Sequence, residues 1–140
     1  MRIDEVVRRK GHDVITIRSD ATVAELLDLL EQHHIGAVVV SDGDDRVDGI
    51  ISERDLVPLV REDGAGARLV REVMTRDVFT CGPEEELELI ARTMTDRRVR
   101  HLPVVKDGRM VAIVSIGDVV KNRLDELQTE RDQLEGYVRG

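Results

Sequence analysis

The sequence repeats one pattern twice, and this repetition constrains the fold more than any other feature. Residues 14–60 and 78–124 carry the same order of apolar runs, turns and helix starts. Each copy closes on Ser-x-x-Asp before an apolar helix, first as Ser52-Glu-Arg-Asp55 and then as Ser115-Ile-Gly-Asp118. A duplicated turn with a hydroxyl and a carboxylate at fixed spacing favours two related small-molecule sites over a single active site.

Neither copy is expected to fold alone. Each is about 45 residues long, which is near the lower limit for a self-supporting core. The two copies are therefore expected to pack on each other and share one core within this chain of 140 residues. Phe79 and Tyr137 are the only aromatic residues, so aliphatic side chains and methionine must build that core.

Apolar periodicity predicts the order β-α-β-β-α in each copy. Copy one is predicted to have a strand at 14–17, a helix at 23–33 capped by Thr22 and Glu25, strands at 35–40 and 47–51, and a helix from Ser52 through Val60. Copy two is predicted to have a strand at 78–81, a helix with Pro83 in its first turn, a strand at 99–105 interrupted by Pro103, a strand at 111–114, and a helix from Ser115. The predicted segments are an N-terminal helical segment (1–13), repeat one (14–61), a linker with a short helix (62–77), repeat two (78–124) and a C-terminal helical extension (125–140).

Composition excludes several classes of partner. The formal charge of −8 argues against DNA or RNA, which require a basic surface. No apolar run approaches the roughly 20 residues that cross a bilayer, and the charged N-terminal segment does not resemble a signal peptide. The single Cys81 forbids an internal disulfide and fits a reducing compartment. We therefore expect a soluble, cytoplasmic protein with no nucleic-acid or membrane partner.

Two interpretations of the Ser-x-x-Asp turns are open from the residues alone. A serine at a helix start with an acid three residues later is a capping box, and a duplication would copy such caps. The same geometry also suits a nucleotide, because a helix N-terminus attracts phosphate and a carboxylate can accept from both hydroxyls of a ribose.

The doubled pattern resembles a tandem pair of CBS domains, the family named for cystathionine β-synthase. The matching phrases are Val73-Met-Thr-Arg-Asp77, Arg100-His-Leu-Pro-Val-Val105, Gly49-Ile-Ile-Ser-Glu-Arg-Asp55 and Ala112-Ile-Val-Ser-Ile-Gly-Asp118. The wording is most similar to small stand-alone bacterial members. The resemblance implies an α+β fold, in which two repeats pack face to face as one pseudo-symmetric module with an extended C-terminal helix. Ala112 departs from the pattern, because the family has glycine there as at Gly49, and its methyl group is expected to narrow the second cleft.

The resemblance also implies two ligand clefts, each built across the copies. The expected residues of one cleft are Thr16, Ile17, Ile35, Gly36, Ala37, Ser115, Ile116, Gly117 and Asp118. Those of the other are Ser52, Arg54, Asp55, Thr80, Cys81, Arg100, His101, Leu102 and Pro103. In each cleft the aspartate would hold the ribose, the serine or threonine would lie nearer the phosphate, and apolar residues would surround the base.

The two clefts are not expected to be equivalent. Glu53-Arg54 in copy one is replaced by Ile116-Gly117 in copy two. Arg54 could hold a phosphate by a charge-assisted pair, although a solvated helix residue is nearly as good an interpretation. The Asp55 cleft is therefore expected to prefer phosphate-rich ligands, and the Asp118 cleft to be more open and less charged.

These patterns lead to a hypothesis of a sensor, not an enzyme. The expected ligands are adenosine-containing: AMP, ADP, ATP or NAD(H), with no cofactor required and no metal site. Two alternatives remain, namely a structural, dimerising adaptor with unoccupied clefts, and an S-adenosylmethionine binder. Val120, Leu124, Leu127, Leu134 and Val138 follow coiled-coil-like spacing. Together with the resemblance, this stripe predicts a homodimer through the repeats and the C-terminal helix.

Overall fold

The computed structural model describes residues 1–139, which form two small β-sheets and six α-helices. Repeat one and its preceding helix comprise α1 (Ile3–Lys10), β1 (Thr16–Ile17), α2 (Val23–His33), β2 (Ala37–Val40), β3 (Gly49–Ser52) and α3 (Glu53–Leu56). Repeat two and its preceding helix comprise α4 (Val70–Val73), α5 (Leu87–Arg97), β4 (His101–Lys106), β5 (Arg109–Ser115) and α6 (Ile116–Arg139). The α+β class is as predicted, and repeat one has the predicted order of elements.

The sheet of repeat one has the order β1-β2-β3. β1 runs parallel to β2, with Thr16 opposite Val39, and β2 runs antiparallel to β3. All four residues of β2 are buried, as expected for a continuous β-branched run between covering layers. The helix α2 has the predicted bounds, and the Thr22 hydroxyl caps it by accepting from the Glu25 amide at 3.2 Å.

The first strand of repeat two is reduced to a single bridge, and Pro103 explains why. Cys81 donates its amide to the Pro103 carbonyl at 3.0 Å and accepts from the Val105 amide at 2.8 Å. The next rung of this parallel ladder would need an N–H from residue 103, which proline lacks. In repeat one the equivalent position is Val39, which pairs with Thr16. Of the predicted strand at 78–81, only Cys81 therefore pairs with β4.

The two prolines of repeat two differ from the predictions in their effect or position. Pro103 does not interrupt its strand, because β4 runs continuously from His101 to Lys106 and Pro103 lies opposite Ile113. Its missing N–H faces the Cys81 side, so the β4–β5 ladder loses no bond. Pro83 lies in the turn before α5, whose N-cap is Glu86, and not in the first helical turn.

The helix after Ser52 is shorter than predicted. α3 spans only Glu53–Leu56, and a 3₁₀ turn, Val57–Arg61, follows it with Pro58 near its start. Proline removes the backbone donor that would continue the α-helical pattern. Repeat two has no proline at this point, and α6 runs on for 24 residues.

The repeats exchange their leading helices. α1 docks on repeat two, where the Ile3 amide donates to Glu85 O at 2.9 Å and Asp4 to Pro83 O at 2.8 Å. α4 docks on repeat one through the same pair of bonds, from Val70 to Ala21 O at 2.8 Å and from Arg71 to Ser19 O at 3.0 Å. These backbone bonds are local equivalents, so the module is pseudo-symmetric, as predicted.

The buried side chains form two clusters and not the one shared core that the repeat length suggested. One cluster combines α1 with repeat two, and the other combines α4 with repeat one. Ala112 is 1% exposed and belongs to the first cluster, so its methyl group fills the core and does not narrow a cleft. Gly49 has no room for that methyl, since a Cβ there would lie 2.6 Å from the Met74 sulfur.

α6 extends well past the second repeat, over about 36 Å at 1.5 Å per residue. Its predicted apolar stripe is exposed on this chain, with Leu124 at 61% and Leu134 at 66%. Across residues 1–139, no helix combines the length and the apolar character needed to span a membrane.

We predict that removing the α1 anchor destabilises repeat two, although α1 precedes repeat one in the chain. Ile3 is fully buried in the cluster of repeat two, so Ile3→Ala should lower the free energy of unfolding by about 2–5 kcal/mol. Urea denaturation of both proteins measures this change. Leu89→Ala is the control, because that leucine is exposed on α5 and should change stability by about 0.5 kcal/mol or less. A loss for Ile3→Ala no larger than the control's would contradict the docking of α1.

Candidate functional site

Both Ser-x-x-Asp turns form the predicted caps. In repeat one the Ser52 amide donates to Asp55 Oδ2 at 2.9 Å, and the Ser52 hydroxyl contacts the same oxygen at 3.3 Å. In repeat two the Ser115 amide donates to Asp118 Oδ2 at 2.9 Å, and the Asp118 amide donates to the Ser115 hydroxyl at 3.2 Å. Each cap uses Oδ2, so the second carboxylate oxygen remains available for another partner.

A cavity of about 360 Å³ opens beside Asp55, between the two repeats. Seven of the predicted site residues line it: Gly36, Ala37, Ser52, Arg54, Asp55, Arg100 and His101. We call it the Asp55 cavity. Gly36 and Ala37 were expected beside Asp118, but they lie here, so the structure brings the central residues of both repeats to one space.

The Asp55 cavity has an apolar side and a charged side. Sequence reasoning missed its apolar members Ile50, Val78, Phe79 and Val99, and its polar members Thr75 and Asp77. Residues 75–79 directly precede Thr80. They are held at the cavity by two backbone hydrogen bonds of 2.9 Å each, one from the Thr75 amide to the Ile50 carbonyl and one from the Ile50 amide to the Thr75 carbonyl. Its charged members are three arginines and three acidic residues, namely Arg54, Arg98, Arg100, Glu53, Asp55 and Asp77.

The other predicted residues lie outside the lining of this cavity. Thr16 and Thr80 are exposed, and Ile17 and Ile35 pack against the core of repeat one. Cys81, Leu102 and Pro103 are buried. Burial raises the pKa of the Cys81 thiol to about 12, so this thiol is protonated and behaves as a small apolar side chain. Ser115, Ile116, Gly117 and Asp118 form the start of α6.

Lys10 forms an ion pair with Asp118, the carboxylate of the second turn, whereas a less charged cleft was expected. Its ammonium lies 2.5 Å from Asp118 Oδ2 and donates to Ile113 O at 2.7 Å. Lys10 is the last residue of α1 and lies 108 positions from Asp118. No local pattern in the sequence signals this contact, because it depends on the docking of α1 onto repeat two.

The environment of Asp118 keeps its carboxyl ionised. Burial raises the pKa of this group, but the hydrogen bonds from Lys10 and Ser115 outweigh that effect and hold the pKa below its usual range. His101 lies near the same ion pair. Burial and the Lys10 ammonium lower the pKa of His101, so its imidazole is neutral at physiological pH.

The arrangement of apolar and charged residues can bind a charged small molecule. Among residues 1–139, no three or more His, Cys, Asp or Glu side chains are placed to hold a metal ion. The Ser52 hydroxyl contacts the Asp55 carboxylate and not the His101 imidazole. A volume of some 300–1,000 Å³ with an apolar wall and a few polar groups is typical of small-molecule sites.

The chain belongs to the CBS domain family, since the family's model matches residues 3–62 and 70–125. The matched residues include α1 and α4, so each family unit contains the helix that docks on the other repeat. This confirms the resemblance that the repeated phrases suggested.

Relatives and solved structures agree with the family assignment. The chain is 34% identical over 148 residues to the mitochondrial CBS domain-containing protein CBSX3 of Arabidopsis thaliana, covering 99% of this chain and 72% of that protein. It is 36% identical over 123 residues to inosine-5′-monophosphate dehydrogenase of Methanocaldococcus jannaschii, covering 87% of this chain but only 23% of the enzyme. The crystal structure of the CBS-domain containing protein ATU1752 from Agrobacterium tumefaciens superposes with a TM-score of 0.83 at 41% identity, covering 88% of this chain and 99% of that one.

We predict that part of the acid sensitivity of this fold comes from Asp118. Its folded-state pKa is lowered, so its stabilising contribution is present above the unfolded value of about 4 and is lost as the pH falls through the folded value. The wild type should therefore exceed Asp118→Asn in stability near neutral pH, and the difference should shrink by about pH 3. Urea denaturation across this range tests it. Asp28→Asn, at an exposed position of α2, is the control, and a pH-independent difference for Asp118→Asn would contradict the prediction.

Proposed function

We propose that this chain is a regulatory module without enzymatic activity that binds an adenosine-containing ligand in the Asp55 cavity. AMP, ADP, ATP and NAD(H) are the proposed ligands, and no other cofactor is required. The observation that supports this most directly is the composite lining of the cavity: Asp55 comes from repeat one, and Arg100 and His101 come from repeat two. A ligand held there contacts both repeats and stabilises the arrangement that fits it best.

Asp55 is the proposed ribose contact. Its Oδ2 accepts the capping bonds from Ser52, and its Oδ1 accepts only a 3.3 Å bond from the exposed Thr75 hydroxyl. One ribose hydroxyl can use the free lone pair of Oδ1, and its neighbour can take the place of the long bond from the Ser52 hydroxyl at Oδ2. The bond from the Ser52 amide remains and keeps the carboxylate in place when a ligand binds.

The arginines support a phosphorylated ligand. Arg54 donates to the Arg98 carbonyl at 3.5 Å, which leaves most of its guanidinium donors available, and Arg98 and Arg100 add two more cations to the lining. Arginine pairs well with phosphate oxygens because its donors form a planar fork. The apolar side chains of Val78, Phe79 and Val99 offer a surface for the base.

S-Adenosylmethionine is the second candidate. The CBS domain pair of protein MJ0100 has been solved in complex with 5′-methylthioadenosine and S-adenosyl-L-methionine; it has the same fold as this chain, with a TM-score of 0.79 at 24% identity. The three arginines of the cavity can pair with phosphate oxygens, and the sulfonium cation of S-adenosylmethionine offers them no such partner. The arginines therefore favour the phosphorylated ligands for this chain.

We predict that Asp55→Asn separates ligand binding from helix capping. The asparagine side-chain oxygen can still accept from the Ser52 amide, so thermal stability should change little. The variant loses the negative charge and one acceptor for the ribose hydroxyls, and affinity should fall by about 1–3 kcal/mol, which is roughly fivefold to 150-fold. Isothermal titration calorimetry with AMP, ADP, ATP, NAD and S-adenosylmethionine measures this.

The control is Asp28→Asn, which makes the same change on the exposed face of α2 and should leave affinity unchanged. If Asp55→Asn bound these ligands with the affinity of the wild type, Asp55 would have only a capping role. No heat with any ligand and the wild type would reject the sensor function and favour a structural adaptor.

We also propose that two copies pair through the repeats and α6. The exposed apolar stripe of α6, including Val120, Leu124 and Leu127, lies on the last helix of the module. Water-exposed leucines at coiled-coil spacing favour burial against a matching helix. A dimer would cover this stripe and would allow a ligand-induced change between the repeats to alter a second subunit.

We predict that Leu124→Glu with Leu127→Glu yields a monomer in sedimentation equilibrium, while the wild type sediments as a dimer. Charges cannot be buried unpaired in an apolar interface without a large loss of free energy. Val60→Glu is the control, because Val60 is 84% exposed on the 3₁₀ turn away from α6. A wild-type dimer that persists in the double variant would place the interface elsewhere.

A further inference from the structure

The two Ser-x-x-Asp turns differ most in what the leading helices bring to them. Thr75, just after α4, offers a neutral hydroxyl to Asp55 at 3.3 Å. Lys10, at the end of α1, brings an ammonium to Asp118 at 2.5 Å. α1 has eight residues and α4 has four, so the longer helix reaches the first turn of α6. The two carboxylates are therefore in different electrostatic environments, although their caps are alike.

Contacts of Lys10 and of its neighbour Arg9 hold the Lys10 ammonium in place. Its ammonium bridges Asp118 Oδ2 and the outward-facing carbonyl of Ile113 on β5. Its neighbour Arg9 donates to the side chain of the buried Asn122 at 3.0 Å, and Asn122 donates to the Asp118 carbonyl at 2.7 Å. The Lys10 side chain is only 30% exposed and the Asp118 side chain 25%. This ion pair is thus partly shielded from solvent.

A ribose that bound Asp118 through both carboxylate oxygens would compete with Lys10. Oδ2 already accepts from the Ser115 amide and from Lys10, so a hydroxyl at that oxygen must replace the ammonium. A displaced, partly buried ammonium near His101 needs a new anionic partner. A phosphate on the same ligand would supply one, whereas a neutral nucleoside would not.

We propose that Lys10 makes the Asp118 cleft selective for adenosine ligands that carry a phosphate, an inference that rests on the proposed function and extends it to the second turn. The ammonium acts as an internal competitor for the ribose carboxylate. Ligands with a phosphate exchange one ion pair for another, and ligands without a phosphate break an ion pair and replace it only with neutral hydrogen bonds.

The test compares AMP with adenosine, which differ only by the phosphate. All titrations use the full chain with Asp55→Ala, which weakens binding in the Asp55 cavity so that the Asp118 cleft dominates the measured signal. In this background AMP should bind about tenfold or more tightly than adenosine, as expected for one charge-assisted contact. Lys10→Met should bring the ratio of the two affinities towards one, chiefly by strengthening adenosine binding. Lys10→Arg should retain the preference for AMP.

Arg8→Met is the matched control, because it removes the same charge from the same helix at an exposed position whose carboxylate partner is Asp4. Circular dichroism confirms that each variant is folded. An AMP preference that is the same in Lys10→Met as in the Asp55→Ala parent would overturn the role of Lys10.

The outcome also separates this inference from the proposed function. If Asp118→Ala binds AMP and no variant that carries Asp55→Ala does, the inference is overturned and the Asp55 cavity remains as the binding site. Absence of binding to the wild type would overturn both. A preference for adenosine over AMP at the Asp118 cleft would contradict the selectivity that Lys10 is proposed to impose.

Discussion

The exchange of α1 and α4 between the repeats is the interaction on which the rest of this structure depends. Each helix is held by backbone bonds to the segment that precedes the first long helix of the other repeat, as between Ile3 and Glu85 and between Val70 and Ala21. Each also supplies apolar side chains to the cluster it joins. Because neither repeat completes its core with its own leading helix, the two repeats fold as one module, and both carboxylate turns receive a residue from outside their own repeat.

The Ser-x-x-Asp turn is both a cap and a candidate ligand contact, and the geometry makes these roles compatible. A capping bond adds about 1 kcal/mol to helix stability and engages one oxygen of each aspartate. The second oxygen accepts a weak bond from Thr75 at Asp55, while Lys10 adds its bond to the capped oxygen of Asp118. A duplication that copied only caps would explain the serines and aspartates, but not the cavity that repeat two completes beside Asp55.

Local patterns in the sequence predicted the local structure well. The bounds of α2, the caps at Ser52 and Ser115, and the exposed stripe of α6 depend on neighbours within one or two turns. The reduced first strand of repeat two depends on a proline 22 positions further along the chain from Cys81, and the pairing of Lys10 with Asp118 spans 108 positions. The contact of Lys10 with Asp118 follows from the exchange of helices. Two similar repeats do not reveal this exchange, because docking of a leading helix on either repeat would give the same sequence pattern.

His101 provides a physical route between the two turns. It lines the Asp55 cavity, and its pKa responds to burial first, and then to Lys10, Asp118, Arg100 and Glu53. A phosphate that drew Lys10 away from Asp118 would change the field at His101 and hence at the Asp55 cavity. Linkage makes such coupling reciprocal, so a ligand beside His101 would also change how readily Lys10 leaves Asp118. The two turns therefore differ in their partners, with a hydroxyl from Thr75 at Asp55 and an ammonium from Lys10 at Asp118.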